Sequence, residues 1–334
     1  MKSPRLCADH ARVRLALACS LLCLAACEPD PPDVAEPEPP AARARLDGCA
    51  LSAPRGFDGE APVLGDDALV THAPSPTLHV LDADRPPIPV PLDRVDALDD
   101  AADGWLLAGR VADGGVLVSL GRDGAERRRM PLPHALVDAK LRVSGDRAWL
   151  FGRAGGELLL LRAELLTASV EEVRRVRVGP RALALLAADG RRAFASWTAP
   201  GAELWTLRGG EALEVTAAPD SPRALAVGET PRLVARSRER TGLWLHVGSA
   251  TARATEPRAR PRDVDARGLP DATALLYVSE RDLWLSRVTD LGVRAEPVVV
   301  AQGPRSGQLR GDAERLWMAW EADGRSHARS ARCR

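Results

Sequence analysis

The chain has 334 residues, and its 46 basic and 46 acidic side chains cancel to a formal charge of zero. That balance provides no electrostatic footprint for nucleic acid or anionic lipid, and it argues against both as partners. Only Lys2 and Lys140 are lysines, so arginine carries nearly all the positive charge.

The amino terminus opens with Lys2, Arg5, Arg12 and Arg14, followed by an uncharged apolar run over residues 15–26. A spanning helix needs about 20 apolar residues, so this run is too short and reads as the core of a signal peptide covering residues 1–26. The run ends Leu24-Ala25-Ala26-Cys27, which resembles the lipobox of bacterial lipoproteins. The resemblance implies cleavage before Cys27, a diacylglyceryl group on its thiol and further acylation of the new amino group. Such a multiply acylated anchor holds a membrane stably. Glu28 stands where inner-membrane retention prefers Asp, so the expected location is the cell envelope, at the outer membrane. Loss of four basic residues and Asp9 leaves the mature chain mildly acidic.

Residues 27–40 continue Cys-Glu-Pro-Asp-Pro-Pro and then Asp-Val-Ala-Glu-Pro-Glu-Pro-Pro. Alternating proline and acid favours an extended, self-repelling tether, roughly 30 to 40 Å long at about 3.1 Å per residue.

Residues 41–334 form a repeat domain. Pro54, Pro91, Pro133, Pro180, Pro222, Pro261 and Pro304 each precede a short apolar segment, at intervals of about 40 residues. The clearest unit starts at Pro180 and reads as four short runs bounded by Gly, Pro or Asp, which is the language of strands and hairpins. Second strands begin at Gly104, Arg147, Arg191, Pro231, Ala274 and Arg315, and third strands at Val116, Glu157, Glu203, Gly242 and Asp282. Trp205, Trp244 and Trp284 occupy one equivalent place and read as packing wedges.

Units of this length with four strands resemble β-propeller blades, as in WD40-like or quinoprotein-like repeats. The resemblance implies an all-β fold of seven four-stranded blades; an elongated β-solenoid and a pair of β-sandwiches are the alternatives. The last unit has room for only three strands, and the segment before Pro54 has no unit of its own. If that segment supplies the missing outer strand, both termini share one blade and the ring closes. Cys49 and Cys333 then lie on neighbouring strands. They are the only thiols left after processing and acylation, so a disulfide at the seam is expected in an oxidising envelope. A closed ring of this kind is expected to be a monomer.

The chemical motifs are negative. After Cys27 there is no G-x-S-x-G, H-E-x-x-H, C-x-x-C, phosphate loop or G-x-G-x-x-G. No catalytic residue, metal ligand or cofactor is assigned. His72, His79 and His246 fall in or beside strands and read as hydrogen-bonded structural residues. Asp99, Asp100, Asp103, Asp263 and Asp265 fall short of a calcium loop and read as turn residues. The pairs Asp66/Asp67 and Glu171/Glu172 are adjacent, so their carboxylates diverge. The expected function is therefore a non-catalytic binding or scaffold module that presents one face to an envelope protein or a glycan. The alternative is a surface hydrolase or lyase on polysaccharide or peptide, with acids gathered near the ring's channel.

Overall fold

Each sequence repeat becomes an antiparallel sheet built from successive hairpins. The computed structural model describes residues 48–333, apart from 113, 209–210, 220, 237–240 and 257–258. The leader, Cys27 and the tether lie outside the described residues. Six sheets of four strands follow one another along the chain. Their innermost strands are Glu60–Leu64, Arg94–Ala101, Val137–Ser144, Ala184–Ala188, Pro222–Val227 and Val264–Gly268. A seventh begins with Gly307–Gly311, which packs against both Val264–Gly268 and Glu60–Leu64, so the ring closes. The innermost strands start within a few residues of the seven prolines.

Blade 7 is completed across the chain ends. Gly307–Gly311, Leu316–Ala322 and Arg325–Cys333 are followed in the sheet by Cys49–Leu51, with Cys49 opposite Cys333. Arg55–Phe57 pairs with the start of the same third strand, so the outer edge is made of two short pieces. Cys49 and Cys333 are joined by a disulfide across a sequence separation of 284. The domain is thus a seven-bladed β-propeller, closed by strands from both ends of the chain.

The apolar side chains explain why one blade is not stable alone. The buried core divides into seven clusters, one at each blade-to-blade interface. Both faces of every sheet are covered, so second strands such as Gly104–Val111 and Thr273–Ser279 read as continuous apolar runs with little alternation. Trp205 of blade 4 sits 5.2 Å from Trp197 and 5.7 Å from Phe151 of blade 3, filling the gap between the two sheets. Outer strands have one open edge and are charged. In Ser169–Arg177 the carboxylates Glu171 and Glu172 diverge to Arg162 and Arg175. At Gly268 a Cβ would lie 1.6 Å from the Val227 carbonyl oxygen, so only glycine lets the innermost strands of blades 5 and 6 approach this closely.

Candidate functional site

An innermost strand has a neighbour in its own sheet on one side only, and its inner edge carries backbone N–H groups that the ladder cannot satisfy. In this chain, side chains from adjacent blades take up that role. Asp99 accepts from Val143 N–H (2.6 Å), Asp263 from Gly307 N–H (3.0 Å) and Asp265 from Leu309 N–H (2.9 Å). Asp66 accepts from Gly311 N–H (2.9 Å). Gln308 accepts from Leu64 N–H (2.9 Å) and donates to Pro62 O (2.6 Å). His72 bridges two blades in the same way, with Nδ1 donating to Ala61 O (2.9 Å) and Nε2 accepting from Val95 N–H (3.1 Å).

These contacts correct the turn reading of four aspartates. Asp99, Asp100 and Asp265 lie on innermost strands and Asp263 immediately precedes one; only Asp103 sits in a turn. The buried ones are inter-blade fasteners. Asp66 and Asp67 occupy the turn after Glu60–Leu64, and their carboxylates do diverge. Asp66 reaches blade 7 and Arg267, while Asp67 accepts from Trp105 Nε1 (2.7 Å) and Arg122 of blade 2.

Asp67 also shares a hydrogen bond with Asp100. Burial first, then that hydrogen bond and the charges of Asp67, Asp66 and Asp99, push Asp100 up to about 8. Burial alone would raise Asp67 too, but its bonds to Asp100, Trp105 and Arg122 outweigh it and hold Asp67 below the usual carboxylate range. The pair therefore holds one proton at neutral pH, on Asp100. The folded chain keeps a proton between about pH 4 and about pH 8 that the unfolded chain releases, so the Asp100 contribution to stability falls as pH rises through that window. Asp67 acts in the opposite sense, losing its contribution only as pH falls through its own lowered value. Asp100→Asn mimics the protonated carboxyl and is expected to flatten the decline. Urea midpoints of both proteins between about pH 5 and about pH 8 check this, and parallel slopes would remove the shared proton.

At the other end of the ring, where the innermost strands begin, lies a cleft of about 560 Å3. Blades 1, 2, 3 and 7 contribute to it. Pro62, Val95 and Trp320 form part of its apolar wall, while Asp96, Asp138 and Glu321 bring carboxylates. Asp96 is only 2% exposed and lies between Arg94 (3.1 Å) and Arg110 (3.4 Å). Glu321 accepts from Ala61 N–H at 3.0 Å. His72 is fastened as described.

Asp138 differs from these groups. A bulge in Val137–Ser144 places it at φ 52°, a left-handed conformation that aspartate tolerates better than most side chains. It is exposed, and its carboxylate has no partner among the described residues.

The expected histidine roles fit these surroundings. His79 contacts Thr71 Oγ1 at 3.2 Å, and His246 contacts Thr251 Oγ1 at 3.3 Å. Among the described residues, no group of three or more His, Cys, Asp or Glu side chains is placed to hold a metal ion.

No protein-family model matches the sequence, and no curated protein matches it either. Solved structures do match. Virginiamycin B lyase from Staphylococcus aureus, in selenomethionine-substituted form, superposes with a TM-score of 0.59 at 15% identity, covering 85% of this chain and 99% of that one. The fold is that of known β-propellers. The β-propeller domain of Cps50 (Swd1) from Myceliophteria thermophila gives 0.55 at 12% identity, over 83% of this chain and 99% of that one. The Dos1 propeller gives 0.54 at 10% identity, over 79% and 74%. At these identities the likeness extends to the propeller itself, and the function has to be argued from the sites.

Proposed function

We propose that this propeller is a lipid-anchored envelope protein, tethered through Cys27, and that it works as a non-catalytic binding module. Its cleft takes a glycan or a segment of an envelope protein. The observation that carries this reading is the division of labour in the cleft. His72, Asp96, Gln308 and Glu321 are held by the fold, which fixes the walls, while Asp138 alone offers a free carboxylate. A rigid, half-apolar cleft with one unengaged acceptor suits a hydroxyl or ammonium donor better than it suits proton transfer.

The test is a photo-crosslinking amino acid placed at position 138 in cells, with exposed Leu166 on the rim of blade 3 as control. A discrete adduct at 138 and none at 166 supports the cleft. The same pattern at both positions, or none at 138, overturns it. Intact mass of the membrane-extracted protein tests the anchor separately: a mass beginning upstream of Cys27 sinks it.

A second reading, a hydrolase or lyase on polysaccharide or peptide, is favoured by the Asp67–Asp100 pair, which offers a protonated carboxyl at neutral pH near solvent. One similar propeller is named a lyase. Against this reading, Asp67 already accepts from Trp105 and Arg122, and Asp100 accepts from Asp66 N–H at 2.8 Å.

A further inference from the structure

A second, smaller cavity lies between the innermost strands of blades 3 to 7, adjoining the cleft at Gly307 and Gln308. Its volume is about 110 Å3, room for a small ion or one charged group with a few waters. Leu183, Leu185 and Leu225 supply apolar wall, which keeps the local dielectric low and strengthens any charge held there.

The charges lining it do not balance. Five cations, Lys140, Arg142, Arg223, Arg262 and Arg310, face two carboxylates, Asp263 and Asp265. Three of the cations are already engaged. Arg310 pairs with Asp265 (3.0 Å) and donates to Leu309 O (2.6 Å). Arg142 lies 3.6 Å from Asp99 and donates to Leu141 O (2.7 Å). Arg262 donates to Glu280 O. Among the described residues, Lys140 and Arg223 have no such partner. Among the described residues, no acceptor or acid lies within hydrogen-bond or ion-pair distance of the Lys140 ammonium. The Arg223 Nε is buried without an acceptor among the described residues.

Their neighbours make both charges harder to hold. Burial lowers the proton affinity of Lys140; among the charges around it Asp265 acts most strongly and supports it, while Arg310 and Arg142 repel it and Asp263 adds a smaller support. Arg223 suffers burial and the like charge of Arg236. Two half-buried cations beside one cavity, neither in an ion pair among the described residues and with five cations to two carboxylates around them, match the requirement for binding an anion.

We propose that this axial cavity is an anion site in which Lys140 and Arg223 hold a single oxyanion group, carboxylate, sulfate or phosphate, of a small ligand. It is a separate site from the Asp138 cleft and stands whether or not that cleft binds.

The scarcity of lysine provides a direct assay. The protein is treated with an amine-acetylating reagent at constant ionic strength, and modification of Lys140, the one lysine after Cys27, is followed by peptide mass spectrometry. Acetate, sulfate and phosphate are the probes, with chloride as the balancing salt. The proposal expects saturable protection of Lys140. Protection by acetate alone identifies a carboxylate ligand, and protection by sulfate or phosphate identifies a tetrahedral one. Calorimetry on Arg223→Gln and Lys140→Met should then show affinity reduced about tenfold or more, the loss of one charge-assisted hydrogen bond. Acetylation of Lys140 that proceeds equally with all salts, or protection that rises without saturating, overturns the site. Unchanged affinity in both variants does so too.

Discussion

Replacing Cys49 and Cys333 together with serine is expected to lower stability by about 2–4 kcal/mol, with roughly 5 kcal/mol as the ceiling that loop entropy allows. The bridge closes a loop with a sequence separation of 284, almost the whole folded domain. It also fastens one of the shortest strands of the ring. Cys49–Leu51 pairs through only three residues, Cys49 with Cys333, Ala50 with Arg332 and Leu51 with Ala331. Cys49 and Leu51 pack against the cluster between blades 6 and 7, whose members include Leu276, Leu309 and Met318. Without the bridge, a three-residue edge strand has little to resist fraying, and its loss uncovers that cluster. Urea unfolding of the oxidised and Ser/Ser proteins measures the cost. Hydrogen exchange distinguishes fraying at the seam from global loss, because fraying alone accelerates exchange in residues 49–51 and their partners first. Equal midpoints would mean that packing closes the ring and the disulfide merely decorates it.

How far the sequence foretold this ring depends on which layer of a blade is considered. Second and third strands were legible because burial on both faces makes them short, dense apolar runs, such as Arg147–Ala154 and Glu157–Glu164. The closure was legible from arithmetic, since the last repeat lacked a strand and a leftover segment carried the matching cysteine. The sheet order confirms that pairing. The innermost strands were read less well. Their charged residues, Asp99 and Asp265 among them, look like turn formers when only local neighbours are considered. Their partners are the N–H groups of Val143 and Leu309, each 44 residues further on. That offset is close to the repeat length, so an acid paired with a strand one repeat later was a signal available in principle. Asp138 could not be found this way, because the bulge that exposes it shows only in the pairing of Val137–Ser144 with Arg147–Ala154.

The same inward charges lead to the second large effect. Asp265→Asn is expected to destabilise the propeller by about 3–5 kcal/mol, the usual cost of stranding a buried charge. Asp265 is the shared counter-ion of the axial region, since it accepts from Leu309 N–H and Arg310 and is the largest support for the charge on Lys140. Burial alone would raise its proton affinity, but Arg310, Lys140 and the Leu309 N–H together hold it below the usual carboxylate range. Asparagine keeps the shape and one acceptor oxygen while removing the charge, so the loss is electrostatic, with packing left in place. Arg310, whose side chain is only 5% exposed, then loses the ion pair it makes with Asp265 and faces Arg142 and Lys140 with only the weaker influence of Asp99 against them. If this account is right, the double substitution Asp265→Asn with Arg310→Met recovers part of the loss, because a buried pair replaced on both sides no longer strands a charge. Lys140→Met alone should be neutral or stabilising in anion-free buffer, because it removes a desolvated charge without orphaning a partner. Urea unfolding of the three variants reads all of this. A Lys140→Met protein as damaged as Asp265→Asn would mean that Lys140 holds the ring together, and the axial charge imbalance would then be structural.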